Sequence, residues 1–304
     1  MRILITGGNG FLGSSIVRKA LQEGHEVLVF SINSNNIQDI ISQITYHSAS
    51  SSDLVNLKED IKSFSPDIVV HCGWSGGSSY KDTTSLSQIE DNVEPSTDFI
   101  KILSTLPKKP KFVGFGSFAE YGDHATTISE NATAIPLNLY GSAKLMFKEL
   151  SERLCNECNM DWLWIRPCYV YGPHDVSSRL IPSLIQKFMK DETVVLDECT
   201  SVIDYIYIDD FTDQVYKLMT ECYVGVYNIC SGTGYSVKSV VEYIQSLLGS
   251  NSEVHYDSSL NRTTIPTIVR GDPTKTIKHT GITPKVDLHK GISNVVDYYK
   301  TRII

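Results

Sequence analysis

Arg2-Ile3-Leu4-Ile5-Thr6-Gly7-Gly8-Asn9-Gly10-Phe11-Leu12-Gly13 decides the fold of this chain. A short apolar strand runs directly into a glycine cluster, and an amphipathic helical pattern then continues to Leu21 before Gly24 ends it. Strand, glycine turn and helix in that order open a parallel α/β sheet. Glycine permits a tight turn and close backbone approach to a ligand, while the helix N-terminus offers free N–H groups and the positive end of a dipole. The glycines satisfy G-x-x-G-x-x-G from Gly7 and G-x-G-x-x-G from Gly8. Gly7, Asn9, Gly10, Phe11, Leu12 and Gly13 are therefore expected to cradle the pyrophosphate of a dinucleotide.

Working outward, His25–Phe30 reads as the second strand. An acid near its end would grip the ribose 2′-hydroxyl of NAD. Here Ser31 stands in that place and Ile32-Asn33-Ser34-Asn35 follows without charge, which favours NADP(H) over NAD(H). Ser50-Ser51-Ser52-Asp53 reads as a side-chain-capped start of a helix to Phe64. Asp67–His71 is a strand, and Cys72-Gly73-Trp74-Ser75 after it is a small-residue loop at a carboxyl end, where parallel sheets bind ligands. Gln88–Leu106 reads as a helix containing Asn92, Lys111–Gly116 as a strand that delivers Ser117, and Asp161–Arg166 as a further strand. After Arg166 the alternation becomes irregular. Residues 1–166 are expected to form a Rossmann-type doubly wound parallel sheet, and 167–304 a smaller mixed α/β lobe. Strands near 202–208 and 226–229 are expected to rejoin the first unit.

Between those strands Leu139-Tyr140-Gly141-Ser142-Ala143-Lys144 lies in a long helical pattern led by Asn138. Residues four apart share a helix face, so the phenol of Tyr140 and the ammonium of Lys144 can serve one site. A free phenol titrates near ~10; at an effective dielectric of ~20, a positive charge roughly 5 Å away is worth about 3 kcal/mol, or about two pKa units. Lys144 is thus expected to bring Tyr140 into the range of acid–base catalysis. Leu139, Ala143, Met146, Leu150 and Leu154 form an apparent apolar stripe on the same helix, read as core.

The chain has 304 residues, 41% hydrophobic and 20% charged, with a net charge of -8 and no basic run, so nucleic acid and membrane surfaces are not expected partners. The first strand begins beside Met1, no apolar run approaches transmembrane length, and a cytoplasmic location is expected. Seven scattered cysteines, including Cys155-x-x-Cys158, read as reduced thiols, with no metal site expected.

Together these residues resemble the extended short-chain dehydrogenase/reductase family, in particular its nucleotide-sugar epimerases, reductases and dehydratases. The resemblance runs through the glycine loop, Ser117 to Gly122, Tyr140 and Lys144, Arg166-Pro167 to Tyr171-Gly172-Pro173, and Asp204-Tyr205-Ile206-Tyr207-Ile208-Asp209-Asp210. It continues through Tyr227-Asn228-Ile229-Cys230-Ser231-Gly232 and Asp272-Pro273-Thr274-Lys275, with Gly281, Pro284 and Gly291. It implies a nucleoside diphosphate sugar substrate and hydride transfer at a sugar carbon, with Ser117, Tyr140 and Lys144 as catalytic residues. It also implies cofactor contacts from Cys72, Gly73, Asn92, Tyr140, Lys144 and Val170, with Asn92 bracing the backbone of the site. Ser75, Phe118, Tyr169, Arg179 and Arg262 are the substrate residues it implies, Arg262 for the pyrophosphate. A homodimer through Gln88–Leu106 and Tyr140–Cys158 is a further implication.

Three departures narrow the activity. Family 4,6-dehydratases carry two acids directly after the serine or threonine, where this chain has Phe118 and Ala119. The histidine acid of the bifunctional 3,5-epimerase-reductases is replaced by Arg179 before Leu180-Ile181-Pro182. Ile203 stands where a pyrophosphate arginine usually precedes the Asp204 motif, and Arg179 is the expected substitute. The expected activity is NADPH-dependent reduction of a nucleotide-linked 4-keto-6-deoxyhexose. An NAD-dependent 4-epimerase is the alternative, and a dinucleotide-sensing regulator without activity a third reading.

Overall fold

Short strands buried on both faces set the architecture, and the computed structural model describes residues 1–76, 80–261 and 266–302. In chain order the strands are β1 (Arg2–Thr6), β2 (Glu26–Ser31), β3 (Thr45–Ser48), β4 (Ile68–His71), β5 (Lys111–Phe115), β6 (Trp162–Pro167), β7 (Tyr169–Tyr171), β8 (Val194–Leu196), β9 (Val202–Tyr207), β10 (Gly225–Ile229), β11 (Gly234–Ser236), β12 (Val254–Tyr256) and β13 (Ile268–Val269). The α-helices are α1 (Phe11–Gln22), α2 (Lys58–Phe64), α3 (Tyr80–Thr83), α4 (Glu94–Ser104), α5 (Leu139–Glu157), α6 (Leu180–Phe188), α7 (Ile208–Thr220), α8 (Val237–Leu248), α9 (Thr274–Thr280) and α10 (Leu288–Lys300).

Seven strands form one parallel sheet in the order β10-β6-β5-β4-β1-β2-β3. Ile5 of β1 pairs in register with Val29 and Val70, so near-continuous apolar strands fill the centre, as a sheet covered on both faces requires. One core, with Ile5, Val29, Val113 and Phe211, lies on one side, and a second, with Leu4, Phe99, Phe147 and Trp164, on the other. The chain builds outward from β1 to β3, then crosses back to β4. The switch between β1 and β4 opens a crevice at their carboxyl ends.

Several expectations are revised here. β3 was not foreseen because Thr45-Tyr46-His47-Ser48 is polar; it closes the sheet edge, and the Tyr46 hydroxyl donates to the Ser31 carbonyl at 2.9 Å. No serine caps a helix after Ser50; the Asp53 carboxylate instead accepts from Ser50 N at 2.8 Å, residues Ser52–Leu57 form a 3-10 turn, and α2 begins only at Lys58. The helix expected over Gln88–Leu106 contains a π-helical turn, Ile89–Val93, before α4. β10 pairs with β6 in the large sheet, but Val202–Tyr207 does not join it. β9 lies in a second sheet with β7, β11 and β13, because its buried Asp204 accepts from the N–H groups of Ser231, Gly232 and Gly271 and ties the strand to those loops.

On α5 the buried face is Ala143, Phe147, Ser151 and Cys155, whereas Met146 and Leu150 of the expected stripe are exposed. The bulky Phe147 turns that face to the sheet and packs on Phe112 and Trp164.

Candidate active site

The glycine loop follows β1 and meets the loop after β4. Gly7 has φ +65°, and a Cβ there would lie 2.7 Å from Gly73 N, so the two loops touch through bare backbone. A Cβ on Gly13 would strike the Gly7 carbonyl, which fixes how closely α1 approaches. Gly10 caps α1 without a side chain, and no acid stands in the first turn, so the helix start keeps its donors for an anion. Asn9 ties this loop to the end of β2: its Oδ1 accepts from Asn36 N at 2.6 Å, its Nδ2 donates to Asn33 Oδ1 at 2.5 Å, and its N donates to Ser31 Oγ at 3.3 Å.

Beside the loop lies a cavity of about 230 Å³ walled by Ser31, Asn33, Ser50, Ser51 and Gly73. Among the described residues, no carboxylate and no lysine or arginine lines it. Arg18 stands near but is committed, with two 2.7 Å bonds to Asp39 and one to the Asn36 carbonyl. This cavity fits the adenosine half of a dinucleotide, and the bare loop fits its pyrophosphate.

A second cavity of about 440 Å³ shares Gly7, Gly10, Cys72 and Trp74 with the first, so the crevice is continuous. Phe11, Leu12, Gly13, Ser117, Tyr140, Lys144, Val170 and Arg179 all line it. Ser117 is fixed by a reciprocal cap: its Oγ accepts from Ala119 N at 3.1 Å, and its N donates to Glu120 Oε1 at 2.9 Å. Glu120 is fully buried and also accepts from Arg166 Nε at 2.7 Å and from Trp164 Nε1 at 3.1 Å. Tyr140 is presented by α5, whose first turn is capped by Asn138 Oδ1 accepting from Gly141 N.

Ser117 and Tyr140 both face the second cavity. Burial pushes the Tyr140 phenol up, Glu120 adds to the rise, and the neighbouring Ser117 hydroxyl and the charge of Arg179 oppose it. Lys144 was expected to lower it, but burial outweighs the neighbouring charges and the phenol is raised. Lys144 is itself buried, donates to the Phe115 carbonyl at 2.8 Å, and is pushed down to about 7 by burial against the pull of Glu120 and Cys72. Its ammonium lies 5.8 Å from the Tyr140 ring centre but only 3.6 Å above the Trp74 ring.

Other expected residues are placed differently. Phe118 points away from both cavities into a cluster with Tyr121, Ile128 and Cys230, because the cap at Ser117 turns the next side chain inward. Asn92 is enclosed on the π-helical turn and lines neither cavity; its Oδ1 accepts from Ser75 N at 2.6 Å and its Nδ2 donates to the Ser75 carbonyl at 3.1 Å, so it braces the loop and touches no cofactor space. Ser75 itself lines the first cavity and not the second. Tyr169 lies under the Arg179 guanidinium at 4.3 Å and against Tyr205 at 4.9 Å. Arg179 reaches the second cavity, but its Nη1 is held by Asp175 Oδ1 at 2.9 Å and the Val170 carbonyl at 3.1 Å. Arg262 lies outside the described residues. Trp74, Glu120 and Asp175 were not singled out from the sequence, since only the fold brings them to the site.

Comparison with known proteins agrees with this fold. The profile of the NAD dependent epimerase/dehydratase family matches residues 3–230. A GDP-6-deoxy-D-talose 4-dehydrogenase of Aggregatibacter actinomycetemcomitans is 25% identical over 100% of this chain and 99% of that protein. A UDP-glucose 4-epimerase of Thermotoga maritima, crystallised with UDP-glucose, superposes with a TM-score of 0.92 over the full length of both chains at 23% identity. The Thermus thermophilus UDP-glucose 4-epimerase in complex with NAD superposes with a TM-score of 0.91 over 99% of each chain at 22% identity. Among the described residues no helix is long and apolar enough to cross a membrane.

Proposed function

The chain belongs to the NAD dependent epimerase/dehydratase family, and from that premise we propose that it reduces the 4-keto group of a nucleotide-linked 6-deoxyhexose with NADP(H). The observation that carries this reading is the kind of proton chemistry the cavity offers. Ser117 and Tyr140 place two hydroxyls on its wall, suited to a carbonyl oxygen. Among the described residues, an acid free to pull a proton from a ring carbon is missing from the wall. Phe118 turns inward, Glu120 is locked beneath Arg166, and the one acid among the described lining residues, Asp175, is buried and paired to Arg179. That disfavours dehydration and 3,5-epimerisation.

In the reductive direction Ser117 orients the keto oxygen and Tyr140 gives it a proton; in reverse Tyr140 takes the proton of the 4-hydroxyl. A nicotinamide cofactor held by the Gly7–Gly13 loop, Cys72, Gly73 and Val170 would supply the hydride. The 4-dehydrogenase relative supports position 4, and the uncharged end of β2 at Ser31 supports NADP(H). The 4-epimerases with the same fold keep the alternative in view, since the same residues serve oxidation followed by re-reduction.

The test is to follow NADPH consumption with GDP-, dTDP-, CDP- and UDP-linked 4-keto-6-deoxyhexoses. Tyr140→Phe should lower the rate about 100-fold or more while the nucleotide sugar still binds. Residual turnover above about a tenth overturns the assignment, and NAD co-purifying with the protein together with epimerisation of a UDP-sugar favours the alternative. Exposed Met146 and Leu150 on α5 support a homodimer through that helix, which sedimentation would test.

A further inference from the structure

Trp74 sits where the two cavities meet, on the loop after β4. Its indole Nε1 donates to Gln88 Oε1 at 2.9 Å. Gln88 is completely buried and donates in turn to the Gly76 and Asp82 carbonyls, so the indole edge is anchored to a rigid point. The other edge packs on Phe147 at 6.2 Å. Held this way, the ring presents its face to Lys144 Nζ at 3.6 Å and stands perpendicular to the Tyr140 ring, at 89° and 6.5 Å between centres.

We propose that Trp74 is a positioning residue for proton transfer: its indole face holds the Lys144 ammonium beside the Tyr140 phenol. This rests on the reading of Tyr140 as the proton donor, with Lys144 one helical turn away on the same cavity wall. A cation over a tryptophan face is favoured more as it is shielded from water, and here Lys144 is buried while Trp74 is half-buried. The groups that face Lys144 are the Phe115 carbonyl from β5, Glu120 from the turn after Ser117, His71 and Cys72 from the end of β4, and Tyr140 on its own helix. Glu120 is shared with Arg166, His71 is uncharged near neutral pH, and the Cys72 thiol is pushed up to about 12. The indole face therefore supports the charged lysine together with one carbonyl and the more distant charge of Glu120. Removing the indole favours the neutral amine, so the loss of charge with rising pH begins earlier.

Lysine-¹³C-labelled protein tests this without substrate or cofactor, with the Lys144 signal identified by its loss in Lys144→Arg. The wild-type titration midpoint is expected near pH 7. Trp74→Leu should lower it by about one unit, and Trp74→Phe, which keeps an aromatic face, should fall between the two. An unchanged midpoint in Trp74→Leu overturns the proposal; should that variant fail to fold, an unchanged midpoint in Trp74→Phe does so. In the keto-sugar assay the alkaline limb of the pH–rate profile should move to lower pH by the same amount. A loss of rate equal at every pH, with the limb in place, would make Trp74 a packing residue and overturn the positioning role. Because the titration uses no substrate, its failure is distinguishable from failure of the reductase reading.

Discussion

At the end of β4, His71 is enclosed with both ring nitrogens occupied: Nδ1 lies 2.7 Å from Thr6 Oγ1 and Nε2 lies 2.8 Å from Ser96 Oγ. Gly73 N donates to the same Thr6 oxygen, so one chain of hydrogen bonds ties the ends of β1 and β4 to the crevice floor. Burial, helped by the nearby Lys144, pushes the imidazole down to about 3. Its folded pKa lies below the unfolded value of ~6.5, so the unfolded chain binds the proton first and the native state resists it. Stability from this group is complete above about pH 6.5 and is lost as pH falls toward 3. Urea midpoints between pH 7.5 and 4.5 should therefore drop on acidification, and His71→Gln should flatten the slope; an equal slope in both proteins refutes this. A second residue-scale expectation concerns Arg166, which neutralises Glu120 beneath Ser117. Arg166→Leu leaves a buried carboxylate without its cation and should cost about 3–5 kcal/mol in urea unfolding. Ser117, Tyr140 and Lys144 were legible because strand-end position and helix spacing are local properties. Glu120 was not, because its partner lies 46 residues away in sequence, and nothing near Trp74 announces that Lys144 will rest on its face.

Among the elements, β1, the glycine loop and α1 were the most readable, since sterics at Gly7 and Gly13 leave few other solutions. Departures arose where polar residues carry the structure: β3, held through Tyr46, and the π-helical turn that swings Asn92 onto the Ser75 backbone. The end of β2 carries the prediction for this scale. Ser31 Oγ lies in the first cavity and accepts from Asn9 N, at the strand end where an acid would grip the ribose 2′-hydroxyl of NAD. If NADP(H) is preferred, the margin should be modest, for no free cation lines that wall among the described residues. Ser31→Asp should reverse the order by setting a carboxylate against the 2′-phosphate. Dissociation constants for both reduced cofactors, from nicotinamide fluorescence, check this, and tighter NADH binding by the unmodified protein contradicts it.

For the whole molecule, the second sheet hangs on one buried carboxylate. Asp204 accepts from Ser231 N and Oγ at 2.8 and 2.6 Å, Gly232 N at 2.8 Å and Gly271 N at 3.2 Å, so two distant segments converge on β9. Asp204→Ala strands those donors and should destabilise the protein by about 3 kcal/mol or more in thermal or urea unfolding. The sequence marked Asp204 within a motif but could not reveal that it clasps loops instead of extending the large sheet. That sheet is completed by β10, which arrives long after its neighbour β6. Until Gly225–Ile229 is made, β6 is a bare apolar edge of Trp162, Leu163, Trp164 and Ile165. A fragment ending at residue 166 should accordingly be insoluble, whereas one reaching residue 230 should gain solubility. During synthesis on the ribosome, at ~10 residues per second, the gap between these strands leaves that edge open for several seconds. Translational pausing within 167–224 would lengthen its exposure to chaperones and to other nascent chains, and fast decoding there would shorten it.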